Sequence, residues 1–317
     1  MSSVESLSFL RQGLWSRARR VLLTGATLAL LSLTACGGDG DSVDRGPSTL
    51  AVAGASLNGL YWDAGQSKLY LTDDKSNAIR VWDGDKGFAQ TMALPAPPAS
   101  GATLGQITGD SKGVLYTTRF GFGTDGAVVA VPGATASANL GGLDATRRRI
   151  AITTASDGAL IDSWFIKGGS GAISQLSVSG AQASEQELVT GLGKPVGVAV
   201  VGDRLFVNDQ NSGNVLLFSL GAARAKPATL ADGQVLATFT TLDGIDLMTA
   251  SRDGTLFFGG SGGRLFAVNP KGEVRVLASG WPKIRGVAYD DAHGRLFVAV
   301  AAADASSAPT VRIVPID

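Results

Sequence analysis

The chain has 317 residues, 44% hydrophobic and 17% charged, and its 27 basic and 27 acidic side chains give a formal net charge of zero. That apolar content excludes a disordered chain, and electroneutrality excludes a polybasic nucleic-acid binder. One cysteine and one histidine exclude a disulfide framework and any metal site built from clustered Cys or His.

Among the 27 acids only four are glutamate, at positions 5, 185, 187 and 273. Aspartate and glycine favour tight turns where glutamate favours helices, so the composition predicts many strands joined by short turns. The length suits one large all-β domain or two ordinary ones.

Residues 1–20 hold Arg11, Arg17, Arg19 and Arg20 against one acid, Glu5. Val21 to Leu33 then run apolar for 13 residues, too short for a spanning helix, which needs ~20, and suited to the core of a secretory signal. The run ends in Leu33-Thr34-Ala35-Cys36, which resembles a bacterial lipobox, with the chain's one cysteine at the position that receives the lipid. Residues 1–35 are therefore expected to be a lipoprotein signal peptide, and acyl chains on Cys36 to anchor the mature protein to a membrane. Gly37 follows, not Asp, so the expected address is the outer membrane, facing the periplasm. Loss of residues 1–35 leaves 23 basic and 26 acidic side chains and no other hydrophobic span. Residues 36–48, GGDGDSVDRGPS after the cysteine, read as a flexible tether.

From Thr49 onward a unit repeats about every 45 residues. NGLYWDAGQSKLYLTDD from Asn58, GQITGDSKGVLYTTR from Gly105, NLGGLDATRRRIAITTA from Asn139, VGVAVVGDRLFVND from Val196, DGIDLMTASRDGTLFFGG from Asp243 and RGVAYDDAHGRLFVAVA from Arg285 each read as strand, polar turn, strand. A third strand follows each, at residues 78–82, 127–131, 172–178, 214–220, 264–268 and 310–314, and most units add a weaker fourth, such as 273–278. The expected fold is all-β: a six-bladed β-propeller with four-stranded blades over residues 49–317. The last unit lacks a fourth strand, and the apolar stretch 49–53 is expected to supply it and close the ring. A pair of β-sandwiches is the competing architecture, and the regular period argues against it.

First strands of such blades line a central channel, so their starts form a ring at its mouth: Asn58, Gly105 or Leu104, Asn139, Val196, Asp243 and Arg285. The stretch 156–171, with Trp164 and Phe165, reads as a long loop over that mouth, beside Arg119-Phe120-Gly121-Phe122. Asn58, Asn139, Asp243, Arg285, Arg119 and Trp164 are the candidate ligand-binding residues. Asp73, Asp74, Asn208 and Asp209 read as turn caps, His293 as structural, and Arg147-Arg148-Arg149 as a solvated turn. No GxSxG, Walker or HExxH motif occurs.

The repeat resembles the gluconolactonase, senescence-marker-protein and luciferin-regenerating-enzyme family, and more widely strictosidine-synthase-like six-bladed propellers. Asn58-Gly59-Leu60-Tyr61-Trp62-Asp63 is similar to that family's opening Glu-Gly-Pro-x-Trp segment, and Leu242-Asp243-Gly244-Ile245-Asp246 to its Pro-Asp-Gly segment. The resemblance implies one divalent cation, most often calcium, at the mouth, with Asp243, Asn139 and Asn58 as ligands and Asp243 as the catalytic position. It also implies a metal-dependent lactone or ester hydrolase. The sequence departs from the family where Asn58 replaces a glutamate and Val196 an asparagine. The first expectation is accordingly a lipid-anchored propeller that binds a small polar ligand or a partner at its mouth; the hydrolase is the alternative.

Overall fold

The computed structural model describes residues 48–88, 90–97, 103–122 and 125–316. The expected signal peptide over 1–35, Cys36 and the expected tether up to residue 47 lie outside the described residues. Six sheets follow one another along the chain, antiparallel except that Ala228–Thr229 adds a short parallel fifth strand to the third. Blade 1 is Leu57–Asp63, Lys68–Asp73, Ala78–Trp82 and Gln90–Ala93. Blade 2 is Leu104–Gly109, Leu115–Arg119, Ala127–Gly133 and Ala136–Asn139. Blade 3 is Arg148–Thr154, Leu160–Phe165, Gly171–Ser179 and Gln182–Leu192. Blade 4 is Pro195–Val201, Arg204–Asp209, Asn214–Ser219 and Gln234–Thr238. Blade 5 is Ile245–Ala250, Leu256–Gly260, Leu265–Val268 and Val274–Ala278. Blade 6 is Ile284–Asp290, Arg295–Val300 and Thr310–Pro315, with Thr49–Ala51 as its outer strand. That last pairing joins the two ends of the domain, Leu50 opposite Val311.

The six first strands pack side by side in a closed ring. The propeller is thus held by blade-on-blade packing, and the apolar side chains divide into six clusters, one per blade interface. Phe206, Phe258 and Phe266 join blades 4 and 5, for example, and Trp82, Phe297 and Leu71 join blades 1 and 6. Each such side chain contributes about 1.5–3 kcal/mol when fully buried. Alternate residues of the Leu-aromatic second strands point to opposite neighbours, so both faces of each blade must be apolar.

All six first strands carry a register break against their second strands, each beginning within a few residues of the strand's start. Such a bulge bends the strand and re-aims the side chain beside it. Polar side chains of the second strands take up freed backbone groups. Thr72 Oγ1 accepts from Gly59 N and donates to Gly105 O of the next blade. Thr118 Oγ1 donates to Ile150 O, and Asn208 Nδ2 to Asp246 O. Adjacent first strands come so close that a Cβ on Gly105 would lie 2.0 Å from Ile150 O.

Blade 3 corrects the sequence reading. Its first strand is Arg148–Thr154, not the segment from Asn139, and the stretch read as a long mouth loop contains the second strand, Leu160–Phe165. The reason is a charge pair inside the strand. Asp162 and Ser163 interrupt its apolar pattern, yet both are fully buried. Arg149 meets Asp162 Oδ2 at 2.5 Å and Glu185 at 3.0 Å. Ser163 Oγ accepts from Ala151 N. The arginine run is likewise no solvated turn: Arg149 is fully buried, and Arg147 packs 3.7 Å over the Trp164 ring.

Candidate functional site

The channel mouth is a cavity of about 230 Å³ to which every blade contributes. The residues beside the six bulges line it: Asn58, Gly105, Ile150, Val196, Asp246 and Arg285. Lys194 and Lys283, each two positions before a bulge residue, complete the charged part, with Gln210 beside them. Phe120 and Phe122 form an apolar side, their rings edge to face at 4.7 Å.

The electrostatics are lopsided. Asp246 is buried and stands 3.8 Å from the Arg285 guanidinium. Burial raises its carboxyl above the ordinary range, against the pull of Arg285, Lys283 and Lys194. Lys283 is half-buried, and its ammonium is lowered by burial and then by the Arg285 charge. Lys194 Nζ donates to Gln210 Oε1 at 2.6 Å, and Gln210 Nε2 donates to Ile245 O. Among the described residues, neither lysine has a carboxylate within 4.0 Å. Behind Leu104, Asp74 accepts the Leu104 amide at 2.5 Å. Burial pushes its carboxyl up to about 6, although that amide and Arg285 pull the other way.

Two of the six sequence candidates, Asn58 and Arg285, line this cavity. Asn58 Nδ2 donates to Leu104 O at 2.5 Å. The other four lie elsewhere. Asp243 is in the turn before blade 5, where it accepts from Thr240 N and Oγ1 and pairs with Arg264. Asn139 ends the outermost strand of blade 2 and accepts from Arg119 Nη1 at 3.4 Å. Arg119 is fully buried as a clamp between blades 1 and 2, its Nη2 donating to Asn77 Oδ1 and Pro95 O. Trp164 is buried in blade 3 and donates to Ser174 Oγ at 2.8 Å. Asp73 and Asp209 cap turns, as expected of them. His293 meets Asp290 in a hairpin.

Sequence reasoning missed Asp246, Lys194 and Lys283, although a signal existed. Asn58 and Arg285 each precede the leucine of the second strand by 11 residues; Asp246 precedes Leu256 by 10, Asp243 by 13. The segments Lys194-Pro-Val-Gly-Val-Ala and Lys283-Ile-Arg-Gly-Val-Ala also align, lysine on lysine.

The residues do not fit the divalent cation that the resemblance implies. Of its three implied ligands only Asn58 reaches the mouth. The carboxylate that does face it, Asp246, is shared with Arg285 and flanked by two lysines. Calcium gains affinity from several carboxylate and carbonyl oxygens. Among the described residues no three His, Cys, Asp or Glu side chains gather as a metal would need.

Two further cavities are found among the described residues. At the far end of the channel, about 340 Å³ is lined by Tyr61, Thr108, Thr154 and Thr249, with Thr108 and Thr154 bonded to each other. A cleft of about 650 Å³ between blades 5 and 6 is lined by charged side chains, among which Arg252 engages Asp291 and Glu273 engages Asn269.

No protein-family model matches the chain, and no curated protein matches it. Solved structures do. A luciferin-regenerating enzyme superposes with a TM-score of 0.63 at 14% identity, covering 85% of this chain and 95% of its own. Regucalcin from Agrobacterium tumefaciens, described as calcium-binding, gives 0.63 at 14%, covering 83% and 92%. A gluconolactonase from Xanthomonas campestris gives 0.63 at 17%, covering 84% and 88%. At these identities the likeness establishes the fold: this chain is a six-bladed β-propeller whose structural neighbours are luciferin-regenerating enzyme, regucalcin and gluconolactonase.

Proposed function

We propose that this chain is an envelope-anchored binding propeller that holds a small polar ligand at its channel mouth. In this reading acyl chains on Cys36 fix it to the outer membrane, facing the periplasm, and residues 36–48 give the propeller reach. The observation that carries the binding part is the cavity of about 230 Å³ into which all six blades feed a bulged residue, with Asp246, Arg285, Lys194 and Lys283 among its lining. Bulges at the same place in every blade fix one mouth residue from each blade at a first strand, and so present a pre-formed cavity. The anchor part rests on the cysteine's position in Leu33-Thr34-Ala35-Cys36.

Thermal-shift measurements against a library of small polar compounds test the binding reading. Stabilisation is expected from a subset, and its loss in Arg285→Met. Cys36→Ser should move the protein from the membrane to the soluble fraction; continued partition with membranes would end the anchor reading.

The names of the structural neighbours favour a second reading, hydrolysis of a lactone or ester with a divalent cation. The donor set at the mouth speaks against it. No stabilisation by Ca²⁺, Mn²⁺ or Zn²⁺ and no turnover of gluconolactone-type substrates are expected. A shift of several degrees with one of these ions, abolished in Asp246→Ala, would establish the second reading instead.

A further inference from the structure

We infer that the ligand class of the mouth is a small organic monoanion, a carboxylate with an apolar body, its charge held by Lys283, Lys194 and Arg285 and its body laid against Phe120 and Phe122. This inference rests on the mouth being a binding site and adds what it selects.

Four basic side chains, Arg149, Lys194, Lys283 and Arg285, line one small cavity with a single carboxylate, Asp246. Asp162 and Glu185 take up the charge of Arg149. Asp246 stands against Arg285, which leaves the two lysines in excess. Those lysines are half-buried, so water screens their mutual repulsion less than at an open surface. Burial and the neighbouring Arg285 already weaken Lys283's hold on its proton. A negative group entering between them relieves that repulsion and meets directed N–H donors.

Charge count sets the valence. Above about pH 6, where Asp74 is ionised, Lys194, Lys283 and Arg285 carry three positive charges against Asp246 in the lining and Asp74 behind it, a surplus of one that a single negative charge balances. Arg148 lies over the Phe120 and Phe122 rings at 5.3 and 5.7 Å, and Phe122, half exposed at 51%, still offers apolar surface that a bare inorganic anion leaves unused. The volume of about 230 Å³ limits the body to roughly one ring or a short chain.

The test is titration calorimetry on the full-length protein in detergent. Benzoate, phenylacetate and cyclohexanecarboxylate are compared with their neutral amides and with inorganic phosphate. At least one carboxylate is expected to bind about tenfold or more tighter than its amide, because a charge-assisted bond is lost in the amide. Its affinity should fall with added NaCl, and Lys283→Met should weaken it about tenfold while Lys283→Arg keeps most of it. Unchanged melting temperatures in both variants show that they fold. Amides that bind as well as the acids overturn the inference and leave the binding reading intact. Phosphate binding tighter than every carboxylate overturns the monoanion assignment. No binding by any acid, amide or phosphate overturns the inference, and a silent polar-compound library besides overturns the reading beneath it.

Discussion

Arg149→Met removes one side chain that satisfies two acids in blade 3. Arg149 and Asp162 are both fully buried and meet at 2.5 Å, and the same guanidinium holds Glu185 at 3.0 Å. Breaking a buried pair from one side costs about 3–5 kcal/mol, because the remaining charge is desolvated and unpaired. Glu185 keeps Arg147 at 3.1 Å, so the cost falls chiefly on Asp162. Unfolding entropy of about 2.1 cal/mol/K per residue over roughly 270 residues gives about 0.57 kcal/mol/K. A loss of about 4 kcal/mol therefore lowers the melting temperature by about 7 °C. Scanning calorimetry reads this directly. The double variant Arg149→Met/Asp162→Leu replaces the pair with apolar volume and should recover most of the loss. A single variant within about 2 °C of the parent, or a double variant as unstable as the single, would refute the reasoning.

Three further outcomes follow from particular contacts. Gly105→Ala drives a Cβ against Ile150 O and Thr118 Oγ1, at 2.0 and 2.2 Å, both in tightly packed strands; overpacking should cost about 1–3 kcal/mol, read by urea unfolding, where an unchanged midpoint would contradict the close approach. Asp74 keeps its proton to about pH 6 when folded and to 3.8 at its ordinary value, so its contribution is present below pH 4 and lost as pH rises through 6. Asp74→Asn, which retains the acceptor for Leu104 N, should gain on the parent between pH 4.5 and 7.5, and a pH-independent difference in urea unfolding would exclude this origin. Asp243→Ala removes the cap on Thr240 and the partner of Arg264, which should cost about 0.5–2 kcal/mol in urea unfolding while leaving ligand affinity at the mouth unchanged.

The repeat made the blades legible because second and third strands carry dense apolar runs, such as Leu205-Phe206-Val207 and Val215 to Phe218, that pack against both neighbours. Two physical features hid the rest. Asp162 and Ser163 are polar but fully satisfied inside a strand, so blade 3 lost its second strand to an apparent loop and Asn139 was placed at the mouth instead of on an outer edge. The bulges were the second. They shift each first strand against its partner, and no alternation of apolar and polar residues records the shift. Asn58 and Arg285 were found because their hairpins share one length. Asp243-Gly244 marks a visible turn, whereas Asp246 sits inside an apolar strand pattern and gives no such signal. Lys194 and Lys283 precede the strands proper and fall outside any strand pattern.

The most direct measurement of the central claim is a crystal structure of the protein with the tightest-binding carboxylate. Its carboxyl group is expected at about 3 Å from Arg285 or Lys283 nitrogens, with the apolar body against Phe120. The carboxylate lodged in the cleft between blades 5 and 6, or a cation held by Asp246 with the two lysines turned away, would contradict it.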